Sequence, residues 1–206
     1  MAVSEPTQHK WEAEAQENLR FIRELMDRPT RHSTFSGLSG VVAGCTALAG
    51  CALTYRITLV DAEIRRSGFQ FVIVWAAVVF IALIADFLIT KRPAARVGKV
   101  LLSRLGHQMF LAAVPALFTG GLLTLFFWQH QLLPWIYPVW MLTYGCAVCS
   151  VAAFSPAHVR LLGCAFLAFG VVALVMPRYG LLFTALSFGL GHITYGILVS
   201  PGADEE

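Results

Sequence analysis

Six long stretches almost free of charge dominate this chain, and they decide what it can fold into. They run from Phe35 to Tyr55, Phe69 to Ile89, Leu105 to Trp128, Pro134 to Phe154, Ala157 to Met176 and Tyr179 to Val199. A helix rises about 1.5 Å per residue, so roughly 20 apolar residues cross the ~30 Å hydrocarbon core of a bilayer. Each stretch meets that length. Lipid offers no partner to a bare backbone N–H or C=O, so a segment inside it must be a helix or part of a closed barrel. The alternation expected of barrel strands does not occur here. The expected fold class is therefore all-α: a polytopic six-helix transmembrane bundle preceded by an N-terminal cytoplasmic amphipathic helix.

Composition agrees, and its distribution says more. Only 13% of the 206 residues are charged, about half the share in soluble domains. The first 34 residues hold Glu5, Lys10, Glu12, Glu14, Glu17, Arg20, Arg23, Glu24, Asp27, Arg28 and Arg31. The chain thus divides into an amphipathic helix and linker over 1–34, a six-span domain over 35–199 and an acidic tail over 200–206. The polar start lacks the early apolar core of a signal peptide, so none is expected. Connections between the last four stretches are short, which makes those helices antiparallel neighbours.

Lys and Arg set the orientation. With the N-terminus inside, eleven of the 15 fall on inner segments, and Arg56, Arg65, Arg66 and Arg178 fall outside. Both termini are then cytoplasmic, and the expected location is the cell's inner (cytoplasmic) membrane. The longest inner loop, "KRPAARVGKVLLSR", carries five positive charges, which the same rule explains without a ligand. No nucleic-acid module accompanies that charge, so nucleic acid is not an expected partner.

Ahead of the spans, "WEAEAQENLRFIRELMDRP" places Trp11, Ala15, Leu19, Ile22 and Met26 on one helix face. Its polar face mixes signs, whereas helices that bind anionic membranes have a Lys/Arg-rich one. A protein partner or a second copy of the chain suits it better than lipid headgroups. In the first span Gly37, Gly40 and Gly44 share a side, and Gly40 with Gly44 forms a GxxxG pair suited to close helix packing. The third span contains Pro115 and the pair Gly120–Gly121. Around the outer boundary Trp128, Trp135, Tyr137 and Trp140 resemble an interfacial aromatic belt.

Reactive groups are few. Cys45, Cys51, Cys146, Cys149 and Cys164 all fall within spans, where they read as small packing residues and not as a disulfide framework. Cys146 and Cys149 form a CxxC, a weak signal without an electropositive helix start beside it. There is no phosphate-binding loop, zinc-protease motif or nucleophile elbow. No catalytic residue, metal site or cofactor is expected, and the lipid bilayer is the one certain partner.

Four ionisable residues lie in or at the edge of the spans: Asp86, His107, His158 and His192. The topology puts all four in the cytoplasmic half. Intramembrane ionisable groups are costly and often mark proton, ion or cofactor paths. Asp86 can instead reach Lys91 or Arg92, while His107 and His158 can sit at the interface. His192 has no charged residue near it along its own helix. Thr184, Phe188, His192 and Tyr195 share a face by helical spacing, which points His192 into the bundle with the Tyr195 hydroxyl nearby. A neutral, hydrogen-bonded histidine would explain the residue as well as a functional one.

"FSGLSGVVAG", "VPALFTGG", the "YG" at Tyr144–Gly145 and "FGLGHITYG" resemble segments of an uncharacterised family of small bacterial six-span integral membrane proteins. In that family an SGLSG start is followed by a P-L-x-x-G-G stretch and a G-F-G-x-L-H-I-x-Y-G ending. His192, Ile193, Tyr195 and Gly196 match the ending, while Ser187 and Gly191 depart from it. The resemblance implies the fold and a shared set of positions, with no reaction attached. Three functions are therefore weighed. The first is a non-enzymatic membrane protein in sensing, stress response or envelope homeostasis. The second is a small transporter or proton-coupled carrier using His192, and the third is a haem-binding redox protein with His192 as axial ligand.

Overall fold

The structure is a computed structural model that describes residues 16–17, 37–60, 64–96 and 104–200. Gln16 and Glu17 are helical and exposed. The rest of the expected amphipathic helix, the second half of the basic loop and the acidic tail after Ser200 lie outside the described residues.

Among the described residues, six helical segments are long and apolar enough to cross a membrane, and there is no strand. The chain is a multi-pass membrane protein built as an all-α bundle. Its spans cover Gly37–Leu59, Gly68–Ile89, Gly106–Gln129, Leu133–Phe154, Ala157–Val175 and Pro177–Val199. The first five are carried by helices α1 (Gly37–Val60), α2 (Ile64–Arg96), α3 (Arg104–Gln129), α4 (Ile136–Val151) and α5 (Ala157–Val175). The sixth is composite: α6 (Gly180–Thr184), a π-helix (Ala185–Gly191) and α7 (His192–Val199). We call the side of the bundle holding Gly37 and Ser200 the terminal face, and the other the far face.

Two boundaries differ from the hydropathy reading, the first being α1, which continues past Tyr55 to Val60. α2 runs on to Arg96, through Lys91, Arg92 and Pro93, so the first half of the basic loop is helix. Hydropathy marks where lipid ends, whereas a helix satisfies its own backbone and can continue into water. At the other end of α3 the chain turns through Gln131, at φ 59°. Leu132 N–H reaches Phe127 O at 2.8 Å and Gln131 N–H reaches Trp128 O at 3.2 Å. This pair of bonds is a Schellman cap that satisfies the last carbonyls of the helix.

α1 packs on α2 and on the sixth span, and α4 packs on α3 and α5. Spans two and three are peripheral. None of the most apolar window of the second is buried, and 6% of the third, against 39% in the first and fourth. At their far ends the two peripheral spans meet, with Gly68 of α2 against the Trp128 indole. Of the rest of the expected belt, Trp135 is exposed, while Tyr137 and Trp140 turn inward. Trp140 Nε1–H donates to Thr124 Oγ1 at 2.8 Å, and the Tyr137 ring meets Phe71 edge-on at 5.6 Å. Trp128, Tyr137 and Trp140 thus make contacts between helices at the far end of the bundle.

Glycine sets the closest approach between α1 and the sixth span. A β-carbon on Gly40 would lie 3.1 Å from Gly196 Cα and 3.2 Å from His192 O, and one on Gly44 would lie 2.6 Å from Ile193 Cγ1. Gly37 abuts Gly196 O in the same seam. The small-residue side of the first span is thus taken by the last span of the same chain. With lipid as apolar as the side chains, such backbone proximity is a main source of helix attachment. Hydroxyls inside the bundle are disposed of locally: Thr54, Thr184 and Ser187 donate to the carbonyls of Gly50, Gly180 and Phe183, four residues back.

Candidate functional site

His192 opens α7, directly after the π-helix. A π-helix is rare, occurs mostly as a local bulge and is frequent at functional sites. Here it changes which carbonyls are available. The His192 backbone N–H bonds Gly189 O, so it does not use the Phe188 carbonyl it would take in a regular α-helix. The His192 ring takes it, with Nδ1 at 3.0 Å from Phe188 O.

That contact fixes the tautomer. A carbonyl only accepts, so Nδ1 carries the proton, and the neutral ring offers Nε2 as an acceptor. Across the bundle, Tyr144 of α4 sits with its hydroxyl 2.8 Å from Nε2 and donates to it. Both ring nitrogens are therefore engaged, one within the span and one between spans four and six. Around them the rings close. Tyr144 lies 4.8 Å from Phe166 and 5.0 Å from Phe188, Phe166 lies 5.4 Å from the imidazole, and Phe188 stacks on it at 16°. Phe166 and Met141 are fully buried and belong to the bundle's core, against which Tyr144, Phe188 and Leu162 pack.

The face drawn from helical spacing needs correction. His192 does point into the bundle, but the hydroxyl beside it is that of Tyr144, not Tyr195. The π-helix has a wider turn than the 3.6-residue α-helix, so Thr184, before it, is not related to His192 by α spacing, whereas Tyr195 shares α7 with His192 and still does not bond its ring. Thr184 spends its hydroxyl on Gly180 O. The Tyr195 hydroxyl is buried and finds no hydrogen-bond partner among the described residues. Its ring lies 5.6 Å from that of His158, which is exposed near the start of α5.

The other ionisable residues are distributed unevenly. Asp86 is half-buried on α2, and its carboxylate lies within Coulombic range of the Tyr144 hydroxyl, as does Tyr195. His107 is exposed near the start of α3 and joins no group around His192. The expected set thus separates into His192, bonded to a tyrosine that spacing did not reveal, Asp86 and Tyr195 within electrostatic range of that tyrosine, His158 at the edge, and His107 apart. The signal for Tyr144 in the sequence was the "YG" of the motif comparison, since no spacing rule connects residues on different spans.

As arranged, neither nitrogen of His192 is free to ligate iron, because axial coordination would first have to break the bond to Tyr144. Among the described residues no three His, Cys, Asp or Glu side chains gather as a metal site. Gly37, Gly40 and Gly44 contribute backbone proximity beneath the site: Gly40 lies against the His192 carbonyl and Gly44 against Ile193.

No family model, curated protein or solved structure matches this chain.

Proposed function

We propose that this protein is a non-enzymatic sensor of the bacterial inner membrane, with both termini cytoplasmic and the Tyr144–His192 pair as a latch between spans four and six. The observation that carries this reading is the double engagement of the imidazole. A transporting or ligating histidine needs a nitrogen open to its cargo, whereas this one is closed on both sides within an aromatic cage. A latch has two states, made and broken, and its breakage would act on a span whose helix type is already irregular. The glycine seam then connects the sixth span to the start of α1, which follows the 1–34 segment directly. That segment is the output surface of the proposal, meeting a protein partner or a second copy through its apolar face.

Two variants test it. Deleting residues 1–28 leaves membrane insertion intact and removes a co-purifying protein. Tyr144→Phe keeps the fold and changes the occupancy of that partner. An interaction profile identical in wild type and both variants would sink the sensor reading.

A proton-coupled carrier is the second reading, and it is favoured by the buried Tyr195 hydroxyl without a partner among the described residues, with the Asp86 carboxylate within electrostatic range of Tyr144. Buried polar groups without partners are uncommon and can mark ordered water. Proton flux into proteoliposomes separates the readings. The latch predicts no flux above protein-free vesicles, and flux abolished by Asp86→Asn or His192→Gln would establish the carrier. The haem reading requires a Soret band in the purified protein, and none is expected while Tyr144 holds Nε2.

A further inference from the structure

The CxxC of span four has a third member that the sequence did not connect to it. Where α4 and α5 approach most closely, Gly163 lies under Cys149: a β-carbon there would be 2.6 Å from Cys149 Sγ and 3.0 Å from its backbone nitrogen. The next residue along α5 is Cys164, so the same close approach brings Cys164 and Cys149 to facing turns of the two helices. Cys146 stands one turn away on α4, within Coulombic range of Cys149, and so does Arg160, one turn before Cys164. All three cysteines are free thiols, with Cys146 and Cys164 exposed and Cys149 half-buried.

Exposure here has a direction. Leu161, Cys164, Ala165, Ala168, Val171 and Val175 of α5 are all exposed, and they recur at the three- and four-residue spacing of one helix face. On an apolar span that face meets lipid. Cys164 lies seven residues into α5, about 10 Å from its start at 1.5 Å per residue. The thiol therefore faces acyl chains, and a reagent that reaches it comes from the bilayer.

From this arrangement we infer that Cys149 and Cys164 are a redox modification site, linked as a disulfide by organic hydroperoxides dissolved in the bilayer. Cys164, facing lipid, is the thiol that meets the oxidant. Its sulfur attacks the distal oxygen of the hydroperoxide, the O–O bond breaks, and the thiol proton goes to the departing alkoxide. The products are an alcohol and a sulfenic acid on Cys164. Cys149, behind it over Gly163, then attacks that sulfur. The S–S bond forms, and hydroxide leaves with the Cys149 proton as water. Two thiols and one hydroperoxide thus yield a disulfide, an alcohol and water. The negative charge on the departing oxygen develops near Arg160. Sulfenic acids condense with neighbouring thiols in this way. The site is independent of the Tyr144–His192 latch.

The test uses the full chain in proteoliposomes, treated with cumene hydroperoxide loaded into the vesicles or with hydrogen peroxide in the buffer. The expected result is loss of two of the five thiols, with peptide mapping reporting a Cys149–Cys164 link that dithiothreitol reverses. Cumene hydroperoxide acts at lower dose than buffer peroxide. Cys164→Ser abolishes the link, Cys146→Ser keeps it, and Cys149→Ser leaves a sulfenic acid on Cys164 that dimedone traps. Serine is near-isosteric, and a monodisperse elution profile confirms that each variant is folded. Failure of the wild type to form the link, absence of dimedone on Cys164 in Cys149→Ser, or faster linking by buffer peroxide would each overturn the inference.

Discussion

His192 donates through Nδ1 to a carbonyl of its own span and accepts through Nε2 from Tyr144 of another. A residue so placed contributes through coupling, which a double-mutant cycle isolates. Hydrogen bonds between spans average about 0.6 kcal/mol and reach about 1.7. The bond to Tyr144 is enclosed by rings, so the cycle of Tyr144→Phe with His192→Phe should return a coupling in the upper half of that range, about 1–1.7 kcal/mol, measured by reversible unfolding in mixed micelles. Tyr195 should behave oppositely. Its buried hydroxyl has no partner among the described residues, and such a group costs roughly 1–3 kcal/mol. Tyr195→Phe is therefore expected to be neutral or stabilising. Clear destabilisation would mean that the hydroxyl holds a water or a partner, as the carrier reading requires.

At the scale of elements, the spans were readable because hydropathy over 20 residues is the property that lipid selects. The π-helix was not readable. Its sequence, "ALSFGLG", is apolar and small-residue-rich like the α-helical parts around it, and which carbonyl a backbone N–H chooses depends on packing. That choice gave the Phe188 carbonyl to the imidazole. The glycine pattern of α1 was visible from sequence, but its partner had to come from three dimensions. The seam gives a paired prediction. Gly196→Ala would set a β-carbon 2.7 Å from Val41 N and closer still to Gly37 O, and overpacking of this kind costs about 1–3 kcal/mol. Gly121→Ala meets nothing within 4 Å and should gain up to about 1 kcal/mol of helix propensity. Thermal unfolding in detergent ranks the two, and equal melting temperatures would contradict the seam.

For the molecule as a whole, four spans form the packed body and spans two and three flank it. Phe80, Leu83 and Phe87 of α2 and Phe110, Phe118 and Leu122 of α3 are exposed, which an apolar helix tolerates because it faces lipid. Cysteines introduced at Phe80 and Phe118 in a cysteine-free background should react with a lipid-soluble maleimide and resist a water-soluble one. Orientation was read from charge alone, so it too is a prediction. Cysteines at residues 4 and 203 should label only from the cytoplasmic side, and one at Gln131 only from outside. The candidate site was half legible. His192 stood out as an ionisable group in an apolar run, and its motif pointed to Tyr195. Its actual partner is 48 residues away on another span, a relation that tertiary packing creates and periodicity cannot encode.

The latch is tested most directly by nitrogen NMR of the histidine-labelled chain in lipid bilayers. The account predicts a neutral His192 with a protonated Nδ1 and an unprotonated, hydrogen-bonded Nε2, whose resonance moves in Tyr144→Phe while Nδ1 stays in place. A proton on Nε2, or a His192 spectrum indifferent to Tyr144→Phe, would contradict it.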